Sequence, residues 1–432
     1  MKIKTKFFCR GVHIDDKKSL SAGCPIRDVA APDSVAIALS QHIGKPAKPV
    51  VAVGDSVERG ALIAEADGAV SANVFASVSG KVIAIERRPL PRGGETDCIV
   101  IENDGENREV SLKPLQEITP DSVRERVREA GIVGMGGAGF PTAVKLSPKT
   151  PVDTLIVNGA ECEPYLTCDH RLMIEKTDEI AEGAKLLALA LGVERVIVAI
   201  ELNKPDAIAK FDGVDGVLVA ELRKRYPMGS EKHLIYSCTG RRVPPGKLPA
   251  DVGVIVENVA TALAVYEAVK LGKPLVDRVM TVSGEGVKEP ANLRVPLGTS
   301  YRYLLDVCGG ETDDASTYIA GGPMMGATLL STDFHTRKTD SGLLVLTARQ
   351  ASIAARRGVP DAFAADGHRL LYPRGRLRHG ARPRRRAQLH RVRHLRVRLP
   401  CKPRARPKHT NVQAKAARKE VNMKYLVSDS PH

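Results

Sequence analysis

Four glycines fall within six residues in the stretch Gly134-Met135-Gly136-Gly137-Ala138-Gly139-Phe140-Pro141-Thr142. Backbone without side chains can approach a ligand closely and turn several N–H groups toward one anion. The stretch lies between an expected helix end at Gly131 and an expected helix containing Ala143, Val144 and Lys145. A helix N-terminus attracts phosphate, and Lys145 can add a full positive charge to it. A plain tight turn would use the same glycines, so this loop decides nothing alone.

A second motif gives it weight. The apolar strand Thr154-Leu155-Ile156-Val157 runs directly into Asn158-Gly159-Ala160-Glu161-Cys162-Glu163-Pro164-Tyr165. Parallel sheets bind ligands outside the carboxyl ends of their strands, where these polar residues emerge. Asn158 can hydrogen-bond the edge of a flavin ring. Glu163 can accept from ribose hydroxyls or a carboxamide. Two glutamates on a loop can also be merely solvated.

Such residues need elements to hold them. Thr119-Pro120-Asp121 reads as an N-cap with proline at the first helical position, ahead of Val123, Val127 and Ala130. After the Thr154 strand, Ile180, Ala184, Leu187, Ala188 and Leu191 repeat with helical spacing, and a second strand follows at Arg195–Ile200. Strand, helix, strand predicts a parallel, helix-covered sheet. Upstream, residues 40–90 read as short strands with glycine turns. Their V-x-x-G-D-x-V-x-x-G-x-x-I-A and S-G-x-V pattern is similar to a biotinyl or lipoyl carrier, but there is no lysine between Glu65 and Ser79 to carry a prosthetic arm. Downstream, Val279–Ser283, a short helix near Tyr301–Cys308, Gly321–Gly326 and the strand Gly342–Leu346 make a smaller α+β module.

Composition narrows the function. With 43% hydrophobic residues in 432, the chain can build two to four cores. No window approaches the ~18 apolar residues of a membrane span, and Met1–Arg10 lacks a signal-peptide core, so a cytoplasmic chain is expected. The eight cysteines are scattered, as in a reducing compartment, and Cys162 and Cys168 have no standard metal spacing. Of the +15 formal charge, residues 351–410 hold 18 Lys and Arg against 2 Asp, and residues 411–432 hold 4 against 2 acids, which leaves residues 1–350 at −3. A basic face across the body, the mark of a nucleic-acid binder, is absent, so no nucleic-acid partner is expected.

The two motifs occur in order with Tyr226-Pro227-Met228-Gly229-Ser230-Glu231-Lys232, Gly240-Arg241-Arg242, Asn258-Val259-Ala260-Thr261 and Gly322-Pro323-Met324-Met325-Gly326. Together they resemble the RnfC family, which supplies the flavin- and NADH-binding part of the Rnf electron-transport complex, and, more distantly, the corresponding part of respiratory complex I. The likeness spans about residues 1–348 and includes Gly11-Val12-His13. It implies a multidomain α/β protein: a barrel-sandwich hybrid domain over residues 1–115, a Rossmann-like parallel-sheet FMN/NADH domain over 116–272, and an SLBB β-grasp domain over 273–348. It implies FMN and NADH as cofactors. Gly134, Gly136, Gly137 and Gly139 would line the FMN phosphate and the NADH path, with Lys145 near the phosphate and Phe140 stacking on nicotinamide or adenine. Asn158 and Glu161 would face the isoalloxazine, Glu163 the nicotinamide nucleotide, and Glu231, Asn258 and Thr261 the far side of the flavin. The flavin carries the chemistry, so no side chain is catalytic, His170 and His233 included. Implied partners are NAD(H), the other subunits of a membrane complex and, indirectly, ferredoxin or flavodoxin, from a peripheral place on the cytoplasmic face. Two alternatives stay open: the related cluster-free component of a sodium-pumping quinone reductase, and a non-enzymatic SLBB scaffold.

The resemblance also implies a ferredoxin-like end with C-x2-C-x2-C-x3-C-P runs holding [4Fe–4S] clusters. Residues 349–410 hold Cys401 alone, so no metal-ligand set survives there, and residues 411–432 form a short tail. Back-translating Leu389–Pro403 with permitted third bases, and reading from the second base of the Leu389 codon, yields C-I-E-C-G-T-C-A-F-V-C-P-A-N-R. That is a complete cluster motif. Residues 350–410 therefore read as an out-of-frame remnant, and the chain as written as an oxidoreductase whose onward relay is missing. An arginine-rich nucleic-acid-binding tail is the competing reading.

Overall fold

The structure, a computed structural model, describes residues 2–6 and 11–351. Strands β1 (Lys2–Ile3) and β2 (Ile26–Asp28) come first. Seven strands follow: β3 (Ser34–Ala38), β4 (Lys48–Pro49), β5 (Ser56–Val57), β6 (Leu62–Glu65), β7 (Val74–Phe75), β8 (Gly80–Pro89) and β9 (Glu95–Asn103). They form a four-stranded sheet, β3-β9-β8-β5, and a three-stranded sheet, β4-β6-β7. Alternate residues such as Val35, Ile37, Ile99 and Ile101 point into a shared core with Ile63 and Val74, as the two-residue strand period requires. This is the expected barrel sandwich.

The second module comprises α1 (Pro120–Glu129), α2 (Thr142–Lys145), β10 (Thr154–Gly159), α3 (Cys168–Glu175), α4 (Thr177–Leu191), β11 (Arg195–Glu201), α5 (Pro205–Phe211), β12 (Leu218–Leu222), α6 (Glu231–Thr239), β13 (Val254–Asn258) and α7 (Val259–Leu271). Thr119 starts α1 as its sequence predicts: Thr119 Oγ1 accepts from the Ser122 N–H, and Ser122 Oγ accepts from the Thr119 N–H. The sheet is parallel, in the order β1-β12-β11-β10-β13. Leu155, Val157, Val198 and Ile200 face one helical layer with α1, α4 and α7, while Ile156, Ile197, Ala199 and Val256 face α6. Burial on both faces explains why these strands read as continuous apolar runs. From β10 the chain steps outward to β11 and β12, then returns to place β13 on the other side of β10. The carboxyl ends of β10 and β13 thus form a topological switch point.

The third module has β14 (Asp277–Ser283), β15 (Ala291–Pro296), α8 (Tyr301–Val307), β16 (Ala315–Ala320), β17 (Ala327–Leu329) and β18 (Gly342–Thr347). Its mixed sheet runs β17-β16-β18-β14-β15-β2, and Tyr301, Leu304 and Leu305 of α8 pack on Met280, Val282, Leu293 and Val345.

Three features depart from the sequence expectations. The segment before the barrel is shared out: β1 extends the parallel sheet beside β12, and β2 joins the third module beside β15. A helix the periodicity did not reveal, α3, precedes α4. The helix expected after the glycines is a single turn, Thr142–Lys145.

Candidate functional site

The glycine stretch folds back on itself. The Gly134 N–H donates to the Phe140 carbonyl at 2.9 Å, and the Thr142 N–H to the Ile132 carbonyl at 3.0 Å. Because α2 is one turn long, it does not supply the helix dipole that the sequence suggested. The 13-residue α7 is placed to do so: its first turn lies against the glycine loop, with the Met135 N–H donating to Thr261 Oγ1 at 3.0 Å. A Cβ on Gly136 would fall 2.9 Å from the Asn258 side chain, so glycine is required for this approach. Gly137, by contrast, is exposed, and a Cβ there would meet nothing within 4 Å, which leaves its backbone open to a ligand. Gly139, at φ 73°, turns the chain past Thr339 and His42. Phe140 is half-buried beside it.

Asn158 and Asn258 face each other across β10 and β13. Asn158 Nδ2 donates to the Gly229 carbonyl at 3.0 Å, and its Oδ1 accepts from the Ala160 N–H. Asn258 caps α7 by accepting from the Ala260 N–H at 2.8 Å, while its Nδ2 donates to Asp169 Oδ2 at 2.7 Å. Asp169 is buried, its Oδ1 has no partner, and burial followed by the neighbouring Glu161 pushes its pKa up to about 6.

The two loop glutamates are engaged by protein groups. Glu161 accepts from the Asp169 N–H at 2.8 Å and pairs with Lys18 at 3.3 Å. Glu163 Oε1 accepts the N–H groups of Met324 and Met325 at 2.6 and 2.9 Å, from the third module's glycine-bounded loop. Burial raises the Glu163 pKa despite those donors. Lys145 is also committed: its Nζ donates to the Val256 carbonyl and lies 3.3 Å from Glu257 and 3.9 Å from Glu231, the first residue of α6. Its charge is balanced chiefly by the buried Glu257, so it is not a free cation awaiting phosphate.

Burial pushes the Cys162 thiol up to about 11 and the Cys168 thiol further, so both stay protonated. The ligand atoms of Glu161, Cys168 and Asp169 lie within 4.8 Å of one another, but the Glu161 oxygens already serve Lys18 and a backbone N–H. His170 Nε2 contacts Asp206 at 2.8 Å, away from the glycine loop's partners. The structure therefore joins Gly134–Phe140, Asn158, Asn258 and Thr261 into one site, sets Glu161 beneath it, and ties Glu163 and the Lys145–Glu231 pair to other partners. Sequence reasoning missed Lys18, Asp169 and Lys204. Lys18 lies 143 residues from Glu161, and no local spacing announces such a pair.

The arrangement fits a flavin nucleotide: open backbone at Gly137 beside the N-terminus of α7, amides at two strand ends, and a buried carboxylate oxygen without a partner. Comparison with known proteins agrees. Residues 6–106 match the family described as the RnfC barrel sandwich hybrid domain, residues 127–267 the Nuo51 FMN-binding domain, and residues 279–328 the SLBB domain. The chain is 47% identical over 352 residues to the RnfC-type component of the proton-translocating ferredoxin:NAD(+) oxidoreductase complex of Clostridium ljungdahlii, covering 79% of this chain and 77% of that protein. It is 43% identical over 364 residues to the Na(+)-translocating counterpart of Acetobacterium woodii, covering 82% of each. With the corresponding component of the ion-translocating oxidoreductase complex of Rhodobacter capsulatus it shares 44% identity over 353 residues, 79% of this chain and 68% of that one.

Proposed function

The chain belongs to the RnfC family, whose members are components of ion-translocating oxidoreductase (Rnf) complexes, multisubunit electron-transport assemblies of membranes, and from that membership we propose that its site at β10, β13 and α7 holds FMN and receives NADH. The observation that carries the reading is the packing of the glycine loop on the first turn of α7 at the switch point of the sheet. When bound, FMN supplies the hydride-accepting and one-electron-releasing chemistry.

This chain's residues do the binding and orienting. The N-terminal dipole of α7 and the backbone of Gly134, Gly136, Gly137 and Gly139 favour the phosphate. Asn158 and Glu161 address one edge of the ring, and Glu231, Asn258 and Thr261 the other side. Phe140 offers a face for stacking. Glu163 takes the nicotinamide nucleotide, for which its contact with Met324 and Met325 must give way. Lys145 adds the part of its charge that Glu257 leaves unspent. Electrons would leave toward iron–sulfur clusters and then ferredoxin or flavodoxin. Among the described residues no helix is long and apolar enough to cross a membrane, and the proposal assigns the chain a peripheral place on the cytoplasmic face.

The test uses the purified full chain. FMN is expected to bind with one-to-one stoichiometry, and NADH to bleach its absorbance without oxygen. Asn258→Ala should weaken FMN binding about 10- to 100-fold, as expected for ~1–3 kcal/mol of lost hydrogen bonding. A wild-type chain that binds no FMN would refute the proposal.

A further inference from the structure

Lys18 enters from the N-terminal arm and buries its ammonium under the loop that follows β10. Its side chain is 7% exposed, and Nζ reaches Glu161 Oε2 at 3.3 Å, the Glu163 carbonyl at 3.0 Å and the Leu166 carbonyl. The same arm holds the loop again through the Tyr165 N–H, which donates to the Asp16 carbonyl at 2.8 Å. Between these anchors, Glu161 and Tyr165 take φ values of 41° and 67°, a left-handed backbone that costs non-glycine residues about 1–2 kcal/mol each. The arm therefore fixes a conformation the loop would not choose alone. From Lys18 the contacts continue through Glu161 to the Asp169 N–H, and through Asp169 Oδ2 to Asn258, the cap of α7. A full charge, shielded from solvent, lies three links from the strand ends where the ring edge is proposed to rest. Burial weakens screening, so the field of that charge reaches the site.

We propose that Lys18 is a positioning residue: it holds the Ala160–Leu166 loop in its left-handed form, and its ammonium shifts the site's preference toward the reduced, more electron-rich form of the flavin. The inference rests on FMN occupying the site proposed above. It assigns Glu161 the opposite electrostatic effect, because a carboxylate at the same place disfavours added electron density.

Two dissociation constants decide it, measured anaerobically on the full chain with oxidised FMN and with dithionite-reduced FMN. The readout is the ratio of the oxidised to the reduced constant. Lys18→Met should lower that ratio about tenfold, equivalent to about 30 mV for a two-electron couple. Lys18→Arg, which keeps the charge, should stay within about threefold of wild type, and Glu161→Gln should raise the ratio. A purely structural role would change both constants together and leave every ratio at the wild-type value, which would overturn the proposal. So would ratios moving the same way in Lys18→Met and Glu161→Gln. Should Lys18→Met fail to fold, the Arg and Gln variants still decide: a retained ratio in the first and a raised ratio in the second support the role, and any other pair overturns it. Wild-type protein that binds neither form refutes FMN binding itself, an outcome distinct from unchanged ratios in proteins that bind.

Discussion

Lys338 places its ammonium between the carbonyls of Asn73 and Gly131, at 2.5 and 2.7 Å, and so ties the third module to the barrel and to the end of α1. It is fully buried, and among the described residues no carboxylate pairs with it. Burial lowers its pKa from 10.5 to about 7. The unfolded chain keeps its proton up to the ordinary value. Between pH 7 and 10.5 the unfolded state therefore binds more protons than the folded one, and this residue's contribution to stability rises with pH. Below pH 7 the cost of holding the charge inside is fully present. At ~1.4 kcal/mol per pKa unit the swing approaches ~5 kcal/mol over the whole window. Urea unfolding at pH 7 and pH 9.5 should show wild type gaining stability relative to Lys338→Met. Parallel changes in the two proteins would show that Lys338 does not titrate there. At this scale the sequence was least informative. Asn158, Asn258 and the glycines stood out by type and order, but the cations that hold them, Lys18, Lys204 and Lys338, look like ordinary surface lysines until the fold closes over them.

Helices α4 and α7 set the angle at which the α7 N-terminus meets the glycine loop. Gly183 lies where they touch: a Cβ there would sit 1.9 Å from the Ala262 carbonyl oxygen and 2.7 Å from its carbon. These are backbone atoms and cannot swing aside. Alanine would gain about 1 kcal/mol of helix propensity, yet overpacking typically costs about 1–3 kcal/mol, and a rigid neighbour favours the upper end. Gly183→Ala should thus lower the urea midpoint and, by tilting α7, weaken FMN binding as well. A variant as stable as wild type would show that the two helices have room to spare. The sequence displayed α4 clearly, since Ile180, Ala184 and Leu187 repeat on one face, and it displayed α1 through its Thr119 cap. It concealed α3, which follows Pro164 and is split from α4 by the single residue Lys176, so that the two merge into one ambiguous stretch. It also concealed the destinations of β1 and β2, whose partners lie about 200 or more residues away and are chosen by tertiary closure, not local pattern.

Across the whole molecule, charge and cysteine are distributed in a way that the body's fold does not explain. Residues 1–350 carry −3, whereas residues 351–410, which lie outside the described residues apart from Ala351, carry 18 Lys and Arg and a single cysteine. A flavin site that accepts two electrons needs a one-electron exit, and the family's usual exit, a pair of [4Fe–4S] clusters, requires eight thiolates where this chain has Cys401 alone. A shifted frame accounts for both anomalies together, because it turns cysteine codons into an arginine- and leucine-rich run without touching the domains before it. Protein expressed from the genomic gene, reconstituted with iron and sulfide, is therefore expected to gain cluster absorbance and to depart in intact mass from the 46.5 kDa of this sequence. A mass matching the sequence, with no iron retained, would sink the frame explanation. It would leave a chain that can take hydride into its flavin and lacks its own clusters to pass the electrons on. Retention of RNA or DNA that falls steeply with salt would instead favour the arginine-rich tail as a binding segment in its own right.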